Sequence, residues 1–203
     1  MEHTANHILL RGTLVSLPEL SHENHGRRFF RFFLEVPRLS GAVDRLPVIV
    51  EESILHSADL SDGEMLTVAG QIRSHNVRSD GKRHLLIFVF ANALLCEDGE
   101  PVNEVILEGP LCREPTYRRT PLGREICDVM LAVPRAFKRA DYLPCILWGR
   151  TAQEASRCHT RDQIKICGRL QSRVYTKVTE TGSEERTAYE ISALTADIPM
   201  ETE

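Results

Sequence analysis

Asn103-Glu104-Val105-Ile106-Leu107-Glu108-Gly109 repeats Asn6-His7-Ile8-Leu9-Leu10-Arg11-Gly12 at an offset of 97, and the same offset sets Ala132-Val133-Pro134-Arg135 over Glu35-Val36-Pro37-Arg38. It also aligns Pro115 with Pro18, Gly123-Arg124 with Gly26-Arg27, and Leu143-Pro144 with Leu46-Pro47. Near residue 150 the frame slips by one, after which Gly168 pairs with Gly70 and Ser172 with Ser74. Self-similarity at a fixed period sets the size of the folding unit. The unit here is about a hundred residues, an ordinary domain, so the chain reads as one small domain duplicated, over residues 1–96 and 103–197.

Within each copy, Val, Ile, Leu and Phe alternate with polar residues and are bounded by Gly, Pro and Asp, the pattern of half-buried strands. The second copy predicts strands near 103–113, 124–134, 142–149, 163–173 and 186–195; the first predicts them near 6–16, 27–37, 46–51, 64–74 and 83–93. Ser79-Asp80-Gly81 suits a tight hairpin between the last two. One helical segment falls at the same place in both copies. Thr151-Ala152-Gln153-Glu154 has the spacing of a capping box and predicts a short helix to near Cys158, with a shorter counterpart over Ser53–Ser57. The expected class is therefore all-β, two tandem OB-fold barrels, each five-stranded with one short helix between strands 3 and 4. A small β-sandwich has similar strand spacing. The connection, Glu97-Asp98-Gly99-Glu100-Pro101, is too short for free tumbling.

At 42% hydrophobic and 27% charged, the 203 residues suffice for two modest cores. The sequence has neither an apolar run of membrane-spanning length nor a secretory leader pattern, so a cytoplasmic protein without a membrane partner is expected. Six cysteines show no CxxC spacing and read as free thiols. The histidines, mostly in the first copy, come with no cysteine or paired carboxylate to complete a ligand set, and no metal or cofactor is expected. Without a Walker loop, GxSxG elbow or HExxH motif the sequence does not read as an enzyme. The net charge of −4 argues weakly against a nucleic-acid partner. Divided by copy, however, the excess belongs wholly to residues 1–100, with 10 basic and 14 acidic side chains against 15 and 15 in the remainder.

Aromatic residues are only 6% of the chain, so their positions carry information. In the second copy Phe137 lies in the basic run Arg135-Ala136-Phe137-Lys138-Arg139, Tyr142 opens strand 3, Trp148 closes it, and Tyr175 lies in Arg173-Val174-Tyr175-Thr176-Lys177. Rings on which bases stack, interleaved with cations that track phosphates, are what binding a single strand without sequence preference requires. Phe137 and Tyr175, set among charges, are expected to be exposed. The alternation leaves Trp148 open to either the barrel core or its outside, with Tyr142 intermediate.

The second copy resembles the bacterial single-stranded DNA-binding protein family. The resemblance runs from Asn103 to Leu111, through Glu114-Pro115 and Arg119-Thr120-Pro121-Leu122-Gly123, then Leu131-Ala132-Val133, Tyr142 to Gly149, Ala152 to Ala155, and Ile166 to Arg173. It implies an OB barrel that binds single-stranded DNA, with Phe137, Tyr142, Trp148 and Tyr175 at the stacking positions and Arg150 and Arg173 at phosphate-contacting ones. Arg135, Lys138 and Lys177 complete the candidate set. Replication, recombination or repair is the implied setting, and two-repeat relatives imply a homodimer of four barrels. Three departures stand out. The chain carries two barrels. The first replaces all four ring positions, with Ser40 for Phe137, Arg45 for Tyr142, Glu51 for Trp148 and Val77 for Tyr175. That makes it a degenerate barrel with a structural role, or a weak site using Arg38, Arg45, Arg73 and Arg78. The family's acidic, phenylalanine-tipped tail has at most an echo in Asp197-Ile198-Pro199, so recruitment of replication or repair proteins through it is not implied. The alternative is a primosome-type protein-interaction adaptor of the same fold with modest DNA affinity.

Overall fold

The computed structural model describes residues 6–198 apart from residues 57, 59, 80, 180 and 181. The first half contains β1 (Asn6–Leu14), β2 (Glu19–Asn24), β3 (Arg27–Pro37), β4 (Val43–Glu51), α1 (Glu52–Leu55), β5 (Met65–Ser79) and β6 (Lys82–Cys96). The second repeats the order with β7 (Val102–Pro110), β8 (Thr116–Arg119), β9 (Glu125–Arg135), β10 (Arg139–Trp148), α2 (Gly149–Ala155), β11 (Gln163–Thr179) and β12 (Gly182–Asp197). Alternation determines each core: Ile8, Leu10, Phe32, Leu34, Leu46 and Val48 point into the first barrel, and Val105, Leu107, Val129, Leu131, Leu143 and Leu147 into the second.

Each half closes as an OB barrel. β3, β4, β6 and β5 run round to β1, which pairs back onto β3 through Thr13↔Glu35, and the β4–β6 contact is parallel. Closure bends the long strands at glycines that have no room for a side chain. A Cβ on Gly70 would lie 2.2 Å from the Phe90 carbonyl oxygen, and one on Gly168 would lie 2.2 Å from that of Ser192. Both glycines sit at bulges, between Ala69 and Gly70 and between Cys167 and Gly168.

Six strands per half replace the five expected, because the short β2 and β8 add to the β3 and β9 edges. Their exposed, polar sequences carry no burial alternation by which to detect them. β11 runs six residues beyond the expected end at Arg173, which places Tyr175 within a strand. The capping box does not form. α2 begins at Gly149, Thr151 lies inside its first turn without a capping role, and Glu154 instead takes a hydrogen bond from Arg150 Nε at 2.8 Å. α1 is only four residues long, and Ser57 and Asp80 of the expected helix and hairpin lie outside the described residues. Cys112, Cys127, Cys145 and Cys167 are free thiols, and burial pushes the Cys127 thiol up to about 11.

β1 and β7 pair antiparallel from Asn6↔Leu107 to Arg11↔Val102, giving one twelve-stranded order, β2-β3-β4-β6-β5-β1-β7-β11-β12-β10-β9-β8. The order is a palindrome about the β1–β7 seam, so a pseudo-twofold axis relates the halves. Two buried carboxylates clasp the seam reciprocally. Asp44 accepts from Arg38 Nε at 2.7 Å and, across the barrels, from the Ser172 backbone N–H at 2.6 Å and Oγ at 3.0 Å. Its counterpart Asp141 accepts from the Ser74 backbone N–H at 2.7 Å, from Arg73 at 3.2 Å and from Arg135 at 3.3 Å. Both carboxylates are fully buried, and complete hydrogen bonding is what makes that tolerable.

Candidate nucleic-acid interface

The outer face of the second barrel is built by the register of β9, β10 and β12. Leu143, Cys145 and Leu147 point inward, so Tyr142, Pro144, Ile146 and Trp148 share the opposite side. Ile146 is only 6% exposed yet lies outside the core cluster, because it is covered on this outer face. Trp148 therefore faces out. It is 37% exposed, and its Nε1 donates to Ser192 Oγ at 3.2 Å, a bond that fixes the ring while leaving much of it open. Gly149 follows at φ +55°, a left-handed turn that starts α2 at once and keeps the indole at the strand's end.

Phe137 sits in the three-residue 3₁₀ turn Ala136–Lys138 between β9 and β10. Phe137 and Lys138 both adopt positive φ, at 60° and 55°, a conformation costing about 1–2 kcal/mol per non-glycine residue. The turn leaves Phe137 94% exposed, a large apolar ring held in water on a strained backbone. Tyr142 is 46% exposed and Tyr175 39%, and the Arg173 guanidinium lies 5.7 Å from the Tyr175 ring centre. All four rings are thus exposed and outside the core.

The cations differ in freedom. Lys138 is exposed and Lys177 half-exposed, whereas Arg150 is engaged by Glu154 and Arg173 stands 3.9 Å from Glu190. Arg135 is partly committed to the clasp through Asp141. In the first half, Arg38 and Arg73 are committed likewise. Burial, and then the charge of Arg135, hold the Arg73 guanidinium below its ordinary range against the opposing pull of Asp141. The clasp escaped notice in the sequence because its partners are distant along the chain, and only the coincidence of Asp44 with Asp141 and Ser74 with Ser172 under the repeat hints at it.

A tandem OB scaffold with solvent-exposed rings on the outer face of its second barrel defines a class, and comparison with known proteins places the chain within it. Residues 102–198 match the model of the single-strand binding protein family. Single-stranded DNA-binding protein B of Bacillus subtilis (strain 168) is 39% identical over 80 residues, covering 36% of this chain and 71% of that protein. Single-stranded DNA-binding protein 1 of Staphylococcus aureus (strain COL) is 35% identical over 81 residues, covering 36% of this chain and 48% of that protein. Among solved structures, a deletion variant of the single-stranded DNA binding protein from Thermus aquaticus superposes with a TM-score of 0.75 at 25% identity, covering 97% of this chain and 95% of that one. The chain belongs to the single-strand binding protein family.

Proposed function

We infer that this protein binds single-stranded DNA without sequence preference, in the setting of replication, recombination or repair, and acts by binding and not by catalysis. The observation that carries the reading is the set of four exposed rings, Phe137, Tyr142, Trp148 and Tyr175, with Arg135, Lys138, Arg150, Arg173 and Lys177 around them. Bases stack on the rings, the cations follow the phosphates, and counterion release makes the affinity fall as salt rises. Residues 103–197 form the DNA-binding domain and residues 1–96 its degenerate partner. Two chains associate as a homodimer of four barrels through the outer side of the sheet around the β1–β7 seam, where Ile106 of β7 and Leu95 of β6 are exposed.

Trp148 is the sole tryptophan, so its quenching by oligo-dT reports one defined site. Phe137→Ala combined with Trp148→Ala lowers affinity for a labelled short oligo-dT roughly 100-fold, at about 1–3 kcal/mol per stacked base. Unchanged affinity in a folded double variant would sink the stacking reading and favour the protein-interaction adaptor.

A further inference from the structure

The outer face of the first barrel is not bare, although the four family ring positions are missing from it. β3 turns Phe29, Arg31 and Phe33 outward, opposite Phe30, Phe32 and Leu34. Across the sheet these residues meet Glu51, Ile49 and Pro47 of β4, and Ile49 in turn meets Phe90 of β6. At the matching places the second barrel has Ile126, Asp128 and Met130 on β9 and Ser192 on β12. The first barrel's rings thus lie on β3 and β6, the strands flanking β4, which is the counterpart of the ring-bearing β10.

Each moved ring carries a planar polar group on top. The Arg45 guanidinium lies 4.9 Å from the Phe33 ring centre, with Arg31 at 5.9 Å on the same ring. The His22 imidazole stacks on Phe29 at 4.8 Å with the planes 10° apart. Phe29 is buried beneath it, while His22 and Arg45 are exposed. Arg45 occupies the position equivalent to Tyr142. Among the described residues neither Arg31 nor Arg45 takes part in an ion pair, Glu35 facing Arg45 across the strands without reaching it. Glu51, at the position equivalent to Trp148, and its neighbour Glu52 are paired by Arg27 at 3.3 Å and by Arg28, which offsets their repulsion of phosphate.

We propose that Arg45 backed by Phe33, with His22 backed by Phe29 beside it, is a second platform for single-stranded DNA, on which bases stack against a guanidinium and an imidazole. A guanidinium plane accepts a stacked base as a ring does and also neutralises phosphate. The occupant is a single strand continuing from the second barrel. The platform occupies the same face of the repeat, and the seam joins the two faces: Arg45 comes close enough to the second barrel to counter the burial that raises the Tyr189 phenol, and the Tyr142 N–H donates to Ser74 Oγ at 2.8 Å. This inference rests on the single-stranded DNA reading above.

The test uses the full chain, Arg45→Ala and Arg45→Lys, with oligo-dT in two lengths: one filling about one OB site, about 4–16 nucleotides, and one long enough to reach both. Trp148 quenching follows the second barrel and anisotropy of labelled DNA follows the whole. The expected result is an unchanged short-oligomer affinity and a loss of about tenfold on the long oligomer in both variants, because lysine keeps the charge but not the plane. His22→Ala deepens the loss. An unchanged long-oligomer affinity overturns the platform and leaves the face to a protein. Restoration by lysine overturns the stacking role, and equal loss at both lengths overturns the assignment to the first barrel. If wild-type protein shows no binding even to the short oligomer, the second-barrel reading fails and this one with it.

Discussion

The two barrels share a backbone and differ in how they present flat surfaces. The second places rings directly at the solvent, on Tyr142, Trp148 and Tyr175 within strands and on Phe137 in a strained turn. The first keeps Phe29 buried and Phe33 half-buried on β3 and puts Arg45 and His22 outermost. Its β3–β4 turn has an ordinary glycine instead of strain, with Gly41 at φ +84°, and exposes Leu39 beside Ser40, where the second barrel has Phe137. The OB scaffold thus sets which face is available without dictating which residues serve it. A repeat preserves position, while the contact partners at each position drift.

The comparison can be broken most sharply at the clasp. Asp141→Ala leaves Arg73 and Arg135 facing each other without their carboxylate, and Asp44→Ala strands Arg38. Removing one partner of a buried pair costs about 3–5 kcal/mol, so both variants melt well below the parent by circular dichroism. Asp141→Ala is the worse of the two, because the first barrel contributes Arg73 where the second has Gln171 at the equivalent position. Equal melting points would make the clasp symmetric after all. Next in size are the closure glycines. Gly70→Ala and Gly168→Ala each drive a Cβ into a backbone carbonyl, and overpacking of that kind costs about 1–3 kcal/mol. Denaturant midpoints should fall alike for the two; a tolerant Gly70 would mean that the barrels close differently. The smallest effect belongs to Arg150→Ala. It removes an exposed i,i+4 pair worth about 0.3–0.5 kcal/mol of stability, but lowers the salt slope of oligo-dT binding by about one contact. An unchanged slope would show that Glu154 keeps Arg150 from the phosphates.

What the sequence made legible was local or periodic. The duplication, the inward alternation of Leu143, Cys145 and Leu147, and the rings among cations all follow from spacing within a few residues or from one fixed offset. What it hid depends on cross-strand register. Nothing along the chain says that Arg45 lies over Phe33, because their strands are joined by a turn whose register determines the diagonal contact. Four ring positions of the second copy are empty in the first, whereas Phe29, Phe33 and Phe90 have the ringless counterparts Ile126, Met130 and Ser192 and so leave no mark in the repeat. The orientation of Trp148 was undecided for a related reason: its neighbour Ile146 is buried on the outer face, and burial alone does not tell core from covered exterior.

The β1–β7 pairing has a consequence for the symmetry of each chain. When identical chains meet across a twofold axis, every substitution appears on both sides and the assembly has no front or back. Here the same junction is made within one polypeptide, with Arg11 Nη2 also holding Glu97 of the connecting segment at 2.5 Å. Each half is therefore free to change alone. Within one chain the ring-rich half and the guanidinium half keep a fixed order, so each chain has a head and a tail and presents a different surface at either end.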